Sequence, residues 1–110
     1  MKKFLVLYRM DMAAMKKMMT ENPDMGKAGM EEWKVWMQNH MKDMADMGAP
    51  LGKNTEMSAG GAMEKSNDLG GYSIIQAETM EDVKKILADN PHFKMSGATM
   101  DIAELMPMAM

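Results

Sequence analysis

"WMQNHMKDMADMG", residues 36–48, is the stretch whose reading decides the fold. Its four methionines, Met37, Met41, Met44 and Met47, recur every three or four positions with His40 among them. Wound as a helix at about 100° per residue, Met30, Trp33, Met37, Met41 and Met44 share a sector of about 80°. Met47, His40 and Trp36 gather on one flank of that sector. The spacing predicts a long helix from Pro23 to about Met47, ended by Gly48 and Pro50, whose methionine stripe lies on a sheet.

Working outward, Lys3 to Tyr8 alternates as a strand with Phe4, Val6 and Tyr8 on one face and Leu5 and Leu7 on the other. Both faces are apolar, which suits a strand inside a covered sheet. Asp11 is placed to cap a short helix over Met12 to Met19, broken by "TENPD". Beyond the long helix, a strand is expected around Asn54 to Ala59, then a glycine-rich polar loop, "GGAMEKSNDLGG". "YSIIQAE" is a further strand, apolar on both faces through Ile74 and Ile75. Thr79 caps a helix through Val83, Ile86 and Leu87, with Asp82 in the capping-box position. "DNPH" stops that helix, and "ATMDIAELMPM" supplies a last strand with Met100, Ile102 and Met106 on one face.

The predicted order is β-α-β-β-α-β, the split βαβ pattern of ferredoxin-like α+β folds, in a single domain spanning 1–110. Two helices cover only one face of such a sheet. The other face is apolar too, and the economical cover is the sheet of a second copy of the chain, so a homodimer is expected.

Bulk properties narrow the classes. A chain of 110 residues can bury a core without staples, and it has no cysteine, which excludes disulfides and thiolate chemistry. A net charge of -3 and a single arginine, Arg9, leave no basic footprint for nucleic acid. The apolar run Phe4 to Tyr8 is shorter than the roughly 7–15 residues of a secretory core or the roughly 20 of a membrane span, so a cytoplasmic protein is expected. Methionine is the outlier, 20 residues against 13 for Leu, Ile and Val together. Soft-metal binding, oxidant scavenging, or a core enriched in methionine by history or design would each produce it.

"LGGYSIIQAETMEDVKKILADNPHF", residues 69–93, with "LMPM" at 105–108, resembles the C-terminal half of the YCII-related (YCII/DGPF-domain) family. "KKFLVLYR" at 2–9, the tryptophan-bearing helix and "MGAPLG" at 47–52 extend the resemblance over essentially the whole chain. The resemblance implies a dimeric α+β barrel built by sheet-to-sheet pairing. It also implies kinship with small enzymes that act on muconolactone-like intermediates through a histidine and an aspartate. Two departures matter. The chain has "AGGA", Ala59 to Ala62, where the DGPF branch has its namesake motif. It also lacks a histidine shortly after the first strand, so the family's catalytic pair has no counterpart by position.

The candidates for chemistry are few. His92, in the "PH" that resembles the family's, is placed either to line a cleft or to bond backbone carbonyls as a structural residue. His40 lies three residues before Asp43, a spacing that allows an imidazole–carboxylate pair for proton transfer, with Trp36 one turn earlier to flank a ligand. Against this stands a solvated rim position. Arg9 closes the first strand and can clamp a carboxylate ligand, or simply pair with a surface acid. Asp68 and Tyr72 can reach the same end of the sheet. Replacing either histidine by alanine is expected to leave folding intact.

The glycine pairs at 60–61 and 70–71 lack phosphate-loop or dinucleotide spacing, and no cofactor is called for. Methionine clusters at 10–12, 18–19, 41–44 and 106–110 echo copper(I) motifs, but methionines run through the whole chain and no metal site is expected. Two functions follow: a small cofactor-independent enzyme acting on a small organic acid or lactone-like molecule by histidine acid/base chemistry, or a non-catalytic scaffold with a methionine-rich core. The enzyme should bring His40 or His92 together with Arg9, Tyr72 or a carboxylate. The scaffold should scatter those groups and fill its cleft with thioethers.

Overall fold

Alternating burial is what builds the sheet. In β1 (Lys2–Arg9) Phe4, Val6 and Tyr8 are buried while Leu5 and Leu7 are half-buried, and β5 (Leu69–Ala77) repeats the pattern with Ser73, Ile75 and Ala77 inside. The computed structural model describes every residue except 66, 67, 96 and 108–110. Between β1 and β5 lie α1 (Met12–Glu21), α2 (Pro23–Asn39), β2 (Met44–Pro50), β3 (Thr55–Ser58) and β4 (Gly61–Glu64). After β5 come α3 (Met80–Leu87) and β6 (Thr99–Glu104). The main sheet runs β2-β5-β1-β6, and each neighbouring pair is antiparallel. The result is an α+β fold with ferredoxin-like strand order.

The helix starts obey the capping rules. The Asp11 carboxylate accepts from the Ala14 amide at 3.0 Å, and the Thr79 hydroxyl accepts from the Asp82 amide at 3.2 Å. Pro23 opens α2, where its missing N–H costs nothing.

The long helix expected to Met47 ends at Asn39. His40 leaves helical geometry with φ −115° and ψ 15°, a 3-10 turn spans Met41–Asp43, and the chain becomes β2. Asn39, His40 and Asp43 are all weak helix formers. Against continuing, β2 offers pairing to the otherwise bare edge of β5: Met44 sits opposite Ile75, Asp46 opposite Ile74 and Ala49 opposite Tyr72. Its irregular register is set by Gly48, whose φ of +75° suits glycine and whose Cα lies so close to the Tyr72 carbonyl that a Cβ would collide with it. Pro50 sits on this edge strand, where a missing donor is tolerated.

The expected strand near Asn54 to Ala59 exists, but not in the main sheet. β3 pairs with β4 in a separate two-stranded ribbon, Thr55 opposite Glu64 and Ser58 opposite Gly61. The start of the predicted glycine-rich loop is thus a strand, and the second sheet strand is supplied by 44–50.

The methionine stripe dissolves with the helix. Met30 and Met41 are 63% and 56% exposed, and α2 instead turns Trp33, Trp36 and Met37 toward the sheet. Among the described residues the buried apolar core is Phe4, Val6, Tyr8, Trp36, Ile75, Ala77, Val83 and Leu87, with no methionine in it. Fully burying a side chain of this kind is worth about 1.5–3 kcal/mol, and the branched and aromatic residues carry that term here. Met37, Met44, Met80 and Met100 pack only around its margin. No helix among the described residues is long and apolar enough to cross a membrane.

Candidate functional site

Where α2 ends, Trp36 holds two polar groups in place. Its indole Nε1–H donates to Asp89 Oδ1 at 2.9 Å, and the His40 ring lies on its face with centroids 4.7 Å apart and planes tilted by 36°. His40 Nε2 is 3.4 Å from the same Asp89 oxygen, and Nδ1 is 3.6 Å from Asp43 Oδ2. The imidazole therefore stands between two carboxylates, with only 19% of its side chain exposed. These separations are longer than good hydrogen bonds. The bond from Trp36, aided by the nearby His40, holds the Asp89 carboxyl below its ordinary pKa against its partial desolvation. Chemically, the cluster is an imidazole with a carboxylate beside each ring nitrogen.

The expected His40–Asp43 pair is thus brought within ion-pair reach. Trp36 has another role than the expected one of flanking a ligand. It is buried, and its ring is wedged edge-on to Trp33 at 5.9 Å and beneath His40, so it acts as a buttress.

His92 takes the structural alternative. It is 1% exposed, and Nε2 lies 3.0 Å from the Arg9 carbonyl and 2.8 Å from the Thr99 carbonyl. Both are acceptors, so Nε2 carries the proton. Arg9 and Thr99 face each other across β1 and β6, and the imidazole ties the two strand ends together. It does not line a cleft: its ring packs edge-on against Tyr8 at 5.4 Å, and the Asn90 side chain accepts from its backbone amide at 2.8 Å.

Arg9 is already occupied. Its guanidinium donates to both Asp68 oxygens at 3.1 and 2.8 Å and to Asp101 Oδ2 at 2.7 Å. The Asp68 bonds above all, then the one to Asp101, raise the guanidinium pKa further, and Arg9 in turn holds Asp68 low. Asp68, expected to face a ligand, is spent on this pair. Strand alternation also puts Arg9, Asp101 and Tyr72 on the face away from the helices, whereas His40 belongs to the α2 side. Tyr72 donates to Asp46 at a long 3.5 Å. The predicted clamp and the predicted base are therefore not brought together.

Two polar partners, Asp89 and Ser73, leave no local mark in the sequence. Asp89 lies in "DNPH", which signals only a helix stop, and nothing local ties it to Trp36 53 positions away. Tyr8 and Ser73 share a buried 2.7 Å hydroxyl contact, and burial raises the Tyr8 pKa despite that bond. The apolar alternation of β1 and β5 gives no hint of it.

Two open surface hollows lie elsewhere. One of about 220 Å³ is bordered by Met12, Lys53, Asn54 and Glu64, and one of about 430 Å³ runs along α1 past Met12, Met15 and Met19. Among the described residues no group of three or more His, Asp or Glu side chains could hold a metal ion. Most of the 106–110 methionine cluster falls outside the described residues.

No family model matches the chain. No curated protein matches it. Among solved structures it is similar in fold to 5-chloro-2-hydroxyhydroquinone dehydrochlorinase from Burkholderia phenoliruptrix AC1100, solved in complex with 2,5-dihydroxybenzoquinone. The TM-score is 0.51 at 16% identity, and the match covers 90% of each chain. At that identity the likeness is one of fold.

Proposed function

We propose that the chain is a small cofactor-independent enzyme of YCII type, in which His40 moves a proton on a small organic acid, lactone or hydroxylated ring. One observation carries this reading: a part-buried imidazole stacked on Trp36 and flanked by Asp43 and Asp89. Asp89 sets the ring's orientation, and a carboxylate stands beside each ring nitrogen of the base. The fold shared with a dehydrochlorinase, whose complex holds 2,5-dihydroxybenzoquinone, supports a small oxygenated ring as the substrate class. Arg9, engaged by Asp68 and Asp101, has no part in it.

The test is a nuclear magnetic resonance titration with 2,5-dihydroxybenzoquinone and a panel of small lactones and carboxylic acids. A ligand of this site shifts the His40 ring and Trp36 indole signals in the wild type, and leaves the Trp36 indole signal unshifted in His40→Ala. If no compound shifts them, the enzyme reading fails. The second reading, a non-catalytic scaffold, then stands, as favoured by the neutralised arginine and by hollows remote from His40.

The partner in this proposal is a second copy of the chain, seated on the sheet face that carries Leu5, Leu7 and Ile74. Those residues are only half-buried, and the helices occupy the other side. Light scattering should give twice the chain mass for the wild type. Leu7→Lys should give the single mass with unchanged far-ultraviolet circular dichroism. A monomeric wild type refutes the pairing.

A further inference from the structure

Methionine is ordinarily among the most buried residue types, and its flexible thioether fills core gaps well. Here it supplies 20 of 110 residues, yet none of the described methionines is buried. Leu, Ile and Val are fewer, yet Val6, Ile75, Val83 and Leu87 make up half of the buried apolar core. A chain that used methionine as substitute leucine would place it inside. This one spreads it outside, with Met57 82% exposed, Met30 and Met63 63% exposed, and Met25 56% exposed. Two of these lie on α2 and two on the β3–β4 ribbon, and none is in the His40 cluster.

We propose that the exposed methionines are a sacrificial sink for two-electron oxidants such as hydrogen peroxide, able to fill while the fold stands. The sulfur lone pair attacks one peroxide oxygen; the S–O bond forms as the O–O bond breaks. The departing hydroxide takes the proton of the transferred oxygen and leaves as water, so sulfur loses the two electrons that peroxide gains. With no cysteine in the chain, no thiol competes for the oxidant. Sulfoxide formation makes an apolar side chain polar and disrupts a core that contains it. The exposed thioethers escape that penalty because water already surrounds them. Met37, Met44, Met80 and Met100, which pack against the core, are the built-in contrast.

The experiment titrates the full chain with hydrogen peroxide and follows each methionine by peptide mass mapping. Met25, Met30, Met57 and Met63 should gain oxygen at least about tenfold faster than Met37, Met44, Met80 and Met100, because susceptibility follows exposure. Over the first four equivalents the cooperative thermal transition should persist, and the A and B methionine sulfoxide reductases together should restore the original mass. The quadruple variant Met25→Leu, Met30→Leu, Met57→Leu, Met63→Leu should consume about four fewer equivalents in that fast phase. If that variant does not fold, Met57→Leu and Met25→Leu alone should each remove one. Uniform oxidation of all methionines, or loss of the thermal transition with the first equivalents, overturns the proposal.

Discussion

The surroundings of His92 and His40 show how little residue type says about role. His92 follows the last helix with its ring fully enclosed, and its Nε2 serves two backbone carbonyls that belong to facing strand ends. His40 follows α2 with its ring partly open, and both nitrogens look toward carboxylates rather than backbone. A buried ring whose Nε2–H serves main-chain acceptors holds strands together. A part-open ring beside two acids ties no strands together and leaves both nitrogens near side chains.

The largest expected effect comes from breaking the structural member of the pair. His92→Ala removes both carbonyl bonds and opens a cavity beside Tyr8, which should cost about 3 kcal/mol of stability in urea denaturation. This replaces the expectation that either histidine is dispensable for folding. A loss under about 1 kcal/mol would mean the clamp between β1 and β6 is worth no more than an ordinary surface contact.

Trp36→Phe comes next, at about 1 kcal/mol, because the ring remains while the Nε1–H bond to Asp89 is lost. It carries a pH signature as well. The Asp89 carboxyl is depressed in the folded state, so its contribution is present above the unfolded carboxylate range and disappears as pH falls through the lower folded value. In the variant the Asp89 carbon signal should titrate closer to the ordinary range, and that part of the acid limb should flatten. An unchanged titration would show that Trp36 does not set the state of Asp89.

His40→Ala should have the smallest effect on folding, under about 1 kcal/mol, since the lost contact is a tilted stack at the margin of the core. Calorimetry checks it. A collapse comparable to that of His92→Ala would erase the contrast between the two rings.

The strands β1, β5 and β6 and the helix α3 were legible because each has a face to bury and a period that marks it. Phe4, Val6 and Tyr8 alternate unmistakably, and Thr79 and Asp11 announce the helices they cap. Residues 44–50 were not legible, because Met41, Met44 and Met47 continue the phase of α2 and so disguise a strand as helix. The pairing that turns them into β2 depends on β5, which lies about 25 residues downstream and leaves no mark in local spacing. The sign that was present is Gly48 with Pro50, a pair that fits an irregular edge strand as well as a helix end. Of the site, the three-residue step from His40 to Asp43 was readable, whereas Asp89 enters only through the tertiary contact with Trp36. Arg9 shows the same limit from the other direction: its position at the end of β1 was plain, but its two carboxylates come from residues 59 and 92 positions away.

Gly48 has a consequence for how this chain can change over generations or in a mutant library. Any other residue there must tolerate φ +75° while meeting the Tyr72 carbonyl at once. Around it the chain is free to drift, because Ala45, Met47 and Ala49 all show an exposed side chain. A saturation library over 45–49 would therefore return one invariant column among permissive ones. That column would report the geometry of β2 to anyone holding only the surviving sequences.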